Sequence, residues 1–308
     1  MLYLKRNTIK NKLFWTLMLA VAGATLPAIS MAQGVTIDET SATSQNLKVV
    51  FNVTDPERID AIYWNPAGLT GSESNLTRSA TFSGDPCVNG LLEYFGNSWA
   101  PPDPNLGGKV LVGAGTTGAR MKGPDSKVVI NSTSTGCVPS ANVGVTTLYK
   151  FWPGGVAQNK MRVTRTLSFE TAFDRDIRPY IPRLYTITQF GQVIYPNAAG
   201  TALVTRNVGG GTCPLGCEFT DWNASSEETA WFAIHDVGLG RGLVVKHNPT
   251  AAPASLWVDW DGASFTNSSS VLLKKPAGGF TGEIVETQTF CFYDSSTWTP
   301  SLTLPSGC

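Results

Sequence analysis

The feature that most constrains the fold of this chain is the near absence of helical periodicity. Short runs rich in Val, Ile, Thr, Phe, Tyr and Trp recur between clusters of Gly, Pro, Asn, Asp and Ser. Such runs, bounded by turn residues, predict strands. The sequence therefore predicts an all-β protein, a large antiparallel β-sandwich, and leaves open one supersandwich or two stacked sandwiches.

The most regular predicted strand runs from Met161 to Glu170. Alternate residues of a strand point to opposite faces, so one face here is apolar and the other polar. Arg165 interrupts the apolar face. A charge in that position predicts either an edge strand or an ion pair inside a cleft. A last long strand is predicted from Gly282 to Tyr293, whereas the proline- and glycine-rich segment that ends at Arg120 is predicted to be an irregular surface excursion.

The N-terminal residues 1–32 predict a secretory signal peptide. Four basic residues precede an apolar run from Leu13 to Ile29, and Ser30-Met31-Ala32 forms a small-x-small cleavage site. Residues 33–308 are then predicted to be a single all-β domain that is secreted or periplasmic. The leader holds four of the 23 basic residues and none of the 23 acidic ones, so the mature charge is 19 minus 23, or −4. Neither a nucleic-acid partner nor membrane insertion is expected.

All six cysteines lie in the predicted mature chain, and an even count in an exported protein predicts disulfides. Six cysteines allow 15 pairings. Chain order favours Cys87 with Cys137, Cys213 with Cys217, and Cys291 with Cys308. A metal site at Cys213 and Cys217 is the alternative, but no histidine is near them in sequence.

The segment Thr229 to His247 contains the only two histidines of the chain and predicts a β-hairpin. Three glycines, Gly238, Gly240 and Gly242, lie between two strand-like runs. Alternation places His235 at a strand end beside this turn. A histidine there is a candidate general acid or base, and a histidine hydrogen-bonded at a sheet rim is the alternative.

No nucleophile elbow, phosphate loop, zinc-protease helix or full calcium loop occurs in the sequence. The stretch from Asp259 to Gly262 resembles part of a calcium loop but is too short, so no cofactor is predicted and calcium remains a minor alternative. Aromatic residues, arginines and carboxylates near predicted strands are instead typical of sugar handling. Of the two tryptophans Trp257 and Trp260, which point to opposite sides of their strand, Trp257 is a candidate for substrate stacking.

The chain resembles the galactose mutarotase-like supersandwich over roughly residues 161–293. The resemblance lies in the order of long β segments, the central run Arg178 to Arg183, the histidine-bearing hairpin and the terminal strand that ends at Tyr293. That family includes aldose epimerases and domains of polysaccharide lyases, and the resemblance implies a ligand cleft on a concave antiparallel sheet. A second histidine at the separation seen in epimerases is missing.

Three hypotheses follow from these observations. The first is a carbohydrate-binding or carbohydrate-active protein, lyase- or epimerase-like if catalytic, with His235 and Glu286 as acid/base groups at strand ends. Its substrate clamps would be Arg178, Arg183 and Lys246, which would neutralise a uronate carboxylate. The second is a non-catalytic extracellular β-sandwich protein, surface-binding or structural, that binds a surface, a partner or its own copies through a sheet edge. The third is a periplasmic or extracellular enzyme of unrelated chemistry.

Overall fold

A computed structural model describes most of the chain after residue 35. The chain divides into two units, Met1–Gln33 and Gly34–Cys308, and every described residue belongs to the second. No described helix is long and apolar enough to cross a membrane. The described residues are 36–37, 41–51, 59–76, 110–115, 118–122, 126–129, 142–152, 159–173, 176–177, 184–185, 191–207, 217–250, 252–258, 260–261, 266–267 and 270–308.

Strands dominate the described residues, and all of their pairings are antiparallel. In chain order they are β1 (Thr36–Ile37), β2 (Ser41–Thr43), β3 (Leu47–Phe51), β4 (Ile59–Trp64), β5 (Val110–Gly115), β6 (Gly118–Lys122), β7 (Ser126–Val129), β8 (Asn142–Phe151), β9 (Lys160–Phe173), β10 (Leu184–Tyr185), β11 (Gly191–Pro196), β12 (Leu203–Asn207), β13 (Cys217–Phe219), β14 (Trp231–Asp236), β15 (Arg241–Asn248), β16 (Ala254–Val258), β17 (Trp260–Asp261), β18 (Thr266–Asn267), β19 (Ser270–Leu273) and β20 (Phe280–Asp294).

A ten-stranded sheet forms the centre of the fold. Its strand order is β12-β11-β14-β15-β20-β9-β8-β6-β5, and β7 also pairs with β8. Three smaller sheets have the orders β1-β2-β3-β4, β13-β16-β19 and β10-β18-β17. The large sheet is continuous from β12 to β5, so a single sheet supplies one whole layer of the structure.

One face of the large sheet, here called the core face, is buried against two of the small sheets. Phe232, Leu243 and Phe290 from the large sheet share one apolar cluster with Val49 of β3 and Leu256 of β16. These side chains are completely buried. Burial of such apolar side chains contributes roughly 25 cal/mol per Å² of apolar surface and is the main stabilising contribution to a β-sandwich.

The opposite face, here called the tail face, is partly covered by the C-terminal segment 295–308. Trp298 and Leu304 of this segment pack on a second apolar cluster that includes Trp231 and Tyr293. The Trp298 ring meets the Tyr293 ring edge-on, with centroids 4.7 Å apart. The disulfide Cys291–Cys308 joins the segment to β20 near the C-terminal end of that strand.

Several sequence predictions are confirmed. The fold is all-β and antiparallel. The predicted hairpin is present as β14 and β15, whose ends meet where Asp236 pairs with Arg241. Arg165 lies on β9 between β20 and β8, which makes it a central residue with an ion-pair partner and not an edge residue.

One prediction is wrong in part, and two of the predicted disulfides involve cysteines that lie outside the described residues. The segment that ends at Arg120 is not irregular throughout, because β5 and β6 pair in it and join the large sheet. The Cys291–Cys308 pairing is confirmed, and Cys217 is also disulfide-bonded. The other three cysteines, Cys87, Cys137 and Cys213, lie outside the described residues.

Replacing both Cys291 and Cys308 with alanine is expected to lower the free energy of unfolding by about 3 kcal/mol, because the cross-link closes a loop of moderate length in the unfolded chain. Urea denaturation of the purified variant measures this change. Ser306→Ala, an exposed change in the same segment, is the control and should stay within about 0.5 kcal/mol of the wild type. An unchanged double variant would show that the disulfide adds nothing to stability.

Candidate functional site

The structure places His235 on the tail face, at the end of β14. Its Nδ1 atom lies 3.0 Å from the Tyr293 hydroxyl, and the two rings are stacked with an interplanar angle of 7°. Burial lowers the pKa of His235, and the charge of neighbouring Asp236 opposes this only in part. Burial also raises the pKa of Tyr293. Both groups are therefore neutral at pH 7, and Tyr293 is fully buried.

Gly242 explains how Tyr293 reaches His235. His235, Gly242 and Tyr293 are register partners on three neighbouring strands. A Cβ atom at position 242 would lie 2.6 Å from the Tyr293 hydroxyl oxygen and 2.2 Å from the backbone oxygen of Ile234. Only glycine leaves room for the tyrosine ring to cross the middle strand. This arrangement places the His235 ring at the sheet rim, stacked on Tyr293 and within hydrogen-bond distance of its hydroxyl.

Gly242→Ala is expected to destabilise the protein by about 2 kcal/mol or more, because the added methyl group displaces both Tyr293 and the backbone of β14. Thermal unfolding followed by circular dichroism measures this loss. Gly238→Ala changes an exposed residue of the adjacent turn and is the matched control. Equal melting temperatures for the two variants would contradict the close approach.

The structure places Glu286 in the interior of the core face and not at a strand end or rim. It lies in the middle of β20 and is fully buried, with Oε2 3.1 Å from Nη1 of Arg165. Its Oε1 lies 3.6 Å from Nδ1 of buried His247. Burial acts to raise the pKa of Glu286, but the His247 contact and the Arg165 charge outweigh it and lower that pKa.

Unpartnered atoms surround this buried ion pair. Both ring nitrogens of His247, Oε1 of Glu286 and both side-chain amide atoms of Gln288 make no hydrogen bond. Trp222 packs beside His247, with ring centroids 6.3 Å apart. Since these side chains are at most about three per cent exposed, a substrate in solution does not reach them. We assign this cluster to the architecture of the core.

His235 and Glu286 are not brought together. Tyr293 on β20 is the register partner of His235, two strands away. Glu286 lies seven residues before Tyr293 on the same strand, so the side chains of Glu286 and Tyr293 face opposite sides of the sheet. Seven residues of strand separate Glu286 from Tyr293 by about 23 Å. The two residues therefore do not act on one substrate.

Glu286→Gln is expected to cost about 3–5 kcal/mol, because it leaves Arg165 buried without a full counter-charge. Folding lowers the pKa of Glu286 below its ordinary value of 4.5. Its ionised form thus adds stability above about pH 4.5, and this is lost as the pH falls through the folded-state pKa. Urea denaturation across this range should show a weaker pH dependence for Glu286→Gln than for the wild type. Glu283→Gln, an exposed change on the same strand, should behave like the wild type.

A cluster of cations on the tail face surrounds Trp152, the residue after β8. The charged groups of Lys150, Lys160 and Arg162 lie 5.0, 4.5 and 5.6 Å from the indole centroid. We call these three residues the cation cluster. The electron-rich indole attracts each of them and offsets part of their mutual repulsion. All four side chains are partly exposed, so the cation cluster is open to solvent.

Among the described residues, no nearby acid balances the positive charge around Trp152. No carboxylate among the described residues is within 4.0 Å of the cation cluster, and Nε of Arg162 is buried without a hydrogen-bond partner. Burial lowers the pKa of Lys160, and the charges of Arg162, Lys246 and Lys150 lower it further. Lys160 Nζ donates to the backbone oxygen of Gly307 in the C-terminal segment.

Lys246 is the one predicted substrate clamp with a described position, and it lies close to this region. It is partly exposed on β15, and its charge lowers the pKa of exposed Glu228 after the larger effect of the Ser226 hydroxyl. Trp257 lies on β16 in a different sheet. Arg178 and Arg183, and also Asp259 and Gly262 of the calcium-like stretch, are outside the described residues. Among the residues with described positions, no three His, Cys, Asp or Glu side chains group as metal ligands.

Sequence reasoning missed the cation cluster. Arg162 is visible as a charge on the polar face of the predicted strand 161–170, and Lys150 is the only charge in the strand-like run of residues 143–151. Neither strand contains any sign that the two residues are paired. The pairing of β8 with β9 places them opposite each other, and Trp152 follows β8 directly.

Comparisons with known proteins place the chain in no family, because no family model and no curated protein matches it. Among solved structures it is similar to an alpha-N-acetylgalactosaminidase from Bifidobacterium bifidum in complex with GalNAc (14% identity, TM-score 0.47) and to a galactose 1-epimerase from Lactobacillus acidophilus NCFM (10%, 0.44). A third similar structure is the Slr1438 protein from Synechocystis sp. PCC 6803 (8%, 0.46).

Coverage differs among these structures. The matches cover 83%, 82% and 88% of this chain, and 36%, 93% and 100% of the respective structures. The chain thus spans about a third of the galactosaminidase. The galactose 1-epimerase is in keeping with the weak resemblance noted from the sequence. With all three TM-scores below 0.5, the similarities identify no function.

Proposed function

We propose that this protein is an exported, non-catalytic carbohydrate-binding protein that holds an acidic glycan on the tail face. The observation that carries the proposal is the cation cluster, in which three positive charges meet at Trp152 without a carboxylate within ion-pair distance among the described residues. A uronate or sulfate group supplies the missing negative charge. Charge-assisted hydrogen bonds of this kind are roughly twice as strong as neutral ones.

Hydroxyl groups beside the cation cluster favour a sugar over a bare anion. Thr164 on β9 and Thr287 on β20 are partly exposed, and their hydroxyl oxygens are 3.1 Å apart. They lie two residues from Arg162 and Thr289 along their strands and therefore face the same side. Each hydroxyl group both donates and accepts hydrogen bonds, as a sugar hydroxyl requires.

Binding without turnover fits the positions of the candidate catalytic residues. Glu286 is buried in an ion pair, and His235 is hydrogen-bonded to buried Tyr293. About four residues of strand, or roughly 13 Å, separate the His235 register position from that of Lys246. The cation cluster consists of lysine and arginine side chains, and no described carboxylate lies within ion-pair distance of it to serve as a general base.

Arg162→Met is expected to weaken the binding of polygalacturonate to residues 33–308 about tenfold, a loss of about 1.4 kcal/mol. The variant removes one charge of the cation cluster, but the methionine side chain still covers the sheet with an unbranched apolar chain. Isothermal titration calorimetry at low salt measures the dissociation constants. Lys48→Met, which removes a charge from β3 in another sheet, should bind like the wild type.

Two further ligands separate acidic-glycan binding from the alternatives. A neutral galactan should not bind, and inorganic polyphosphate should bind more weakly than polygalacturonate because it has no hydroxyl groups to pair with Thr164 and Thr287. Failure of polygalacturonate and a sulfated glycan alike to bind would refute the proposal. Equal binding of polyphosphate and polygalacturonate would reduce the site to a general anion-binding surface.

A further inference from the structure

The cations of the tail face are aligned across the large sheet. Lys246 on β15 pairs with Thr289 on β20, Thr289 pairs with Arg162 on β9, and Arg162 pairs with Lys150 on β8. Register partners face the same side of a sheet and form a line perpendicular to the strands. We call Lys246, Arg162 and Lys150 the cation row.

The length of the cation row exceeds one sugar ring. Neighbouring strands are about 4.8 Å apart, so the three strand intervals from Lys246 to Lys150 span about 14 Å. Lys246 and Arg162 are two intervals apart because Thr289, which is almost fully buried, lies between them. A ligand that contacts both ends therefore carries negative charges at more than one position along its length.

Structural features border the cation row on both sides. On one side the C-terminal segment is tied down by Cys291–Cys308 and receives the hydrogen bond from Lys160 to Gly307. On the other side the hydroxyl pair of Thr164 and Thr287 occupies the same face, two residues further along the strands. The strip between them crosses the strands and is lined by cations.

We propose that the ligand of this face is a polymer, an acidic polysaccharide that lies across the strands along the cation row. Acidic groups on different sugar units face Lys150, Arg162 and Lys246, and sugar hydroxyls face the threonine pair. The inference rests on the acidic-glycan binding proposed above and adds the length and direction of the ligand. Contacts along the row add up only when one chain bridges them, so affinity grows with chain length.

The test compares the dissociation constants of galacturonic acid oligomers, from monomer to octamer, for the wild type and for Lys246→Met. The wild type should bind the tetramer and longer oligomers more tightly than the dimer. Lys246→Met should weaken tetramer and octamer binding about threefold to fivefold, as expected for one exposed ion pair, and leave the monomer unchanged. Arg162→Met should weaken every oligomer that binds measurably.

Two controls keep the result interpretable. Lys246→Arg retains the charge and should restore the length dependence, and Lys275→Met removes an exposed charge from the turn after β19 and should have no effect. Affinity that is the same for all lengths, or a Lys246→Met effect that is equal for monomer and octamer, would overturn the extended binding mode while leaving acidic-glycan binding intact. Absence of binding to every acidic oligomer and polymer would instead refute the proposed function itself.

Discussion

The pairing of β20 with β9 is the constraint on which the rest of the structure depends. Both strands are long, and the other edge of β20 pairs with β15, the second strand of the histidine-bearing hairpin. Because residues alternate between faces, β20 supplies Phe290 and Phe292 to the core and Thr287 and Cys291 to the tail face. A slip of one residue would exchange the two faces, so the apolar core and the cation row are determined by the same register.

The Arg165–Glu286 pair marks the register at the centre of this ladder. The two residues are directly opposite each other and fully enclosed. A buried ion pair contributes little net stability, since desolvation offsets most of the attraction. A shifted register would separate the charges inside the core, however, which is far more costly than the native arrangement. We infer that the pair selects one register.

The sequence was sufficient to predict the fold class and much of the local structure, because strand alternation and turn residues are local signals. The strand around Met161, the hairpin around His235 and the Cys291–Cys308 disulfide are examples. The candidate site could not be predicted from such local signals. Glu286 looked like a rim carboxylate because sequence alternation does not reveal that both of its neighbouring strands continue beyond it. The cation row was invisible since its members are joined only by long-range pairing.

The distance in sequence between the two central strands also bears on how the chain folds. Arg165 and Glu286 are separated by 121 residues, yet they lie side by side. Folds dominated by such distant contacts form slowly, because the entropy of closing a long loop is lost before any pairing compensates for it. Until β20 arrives, β9 has one edge open and an apolar face exposed. The rate of folding, and the exposure of β9 to aggregation meanwhile, are thus set by the last long strand of the sheet.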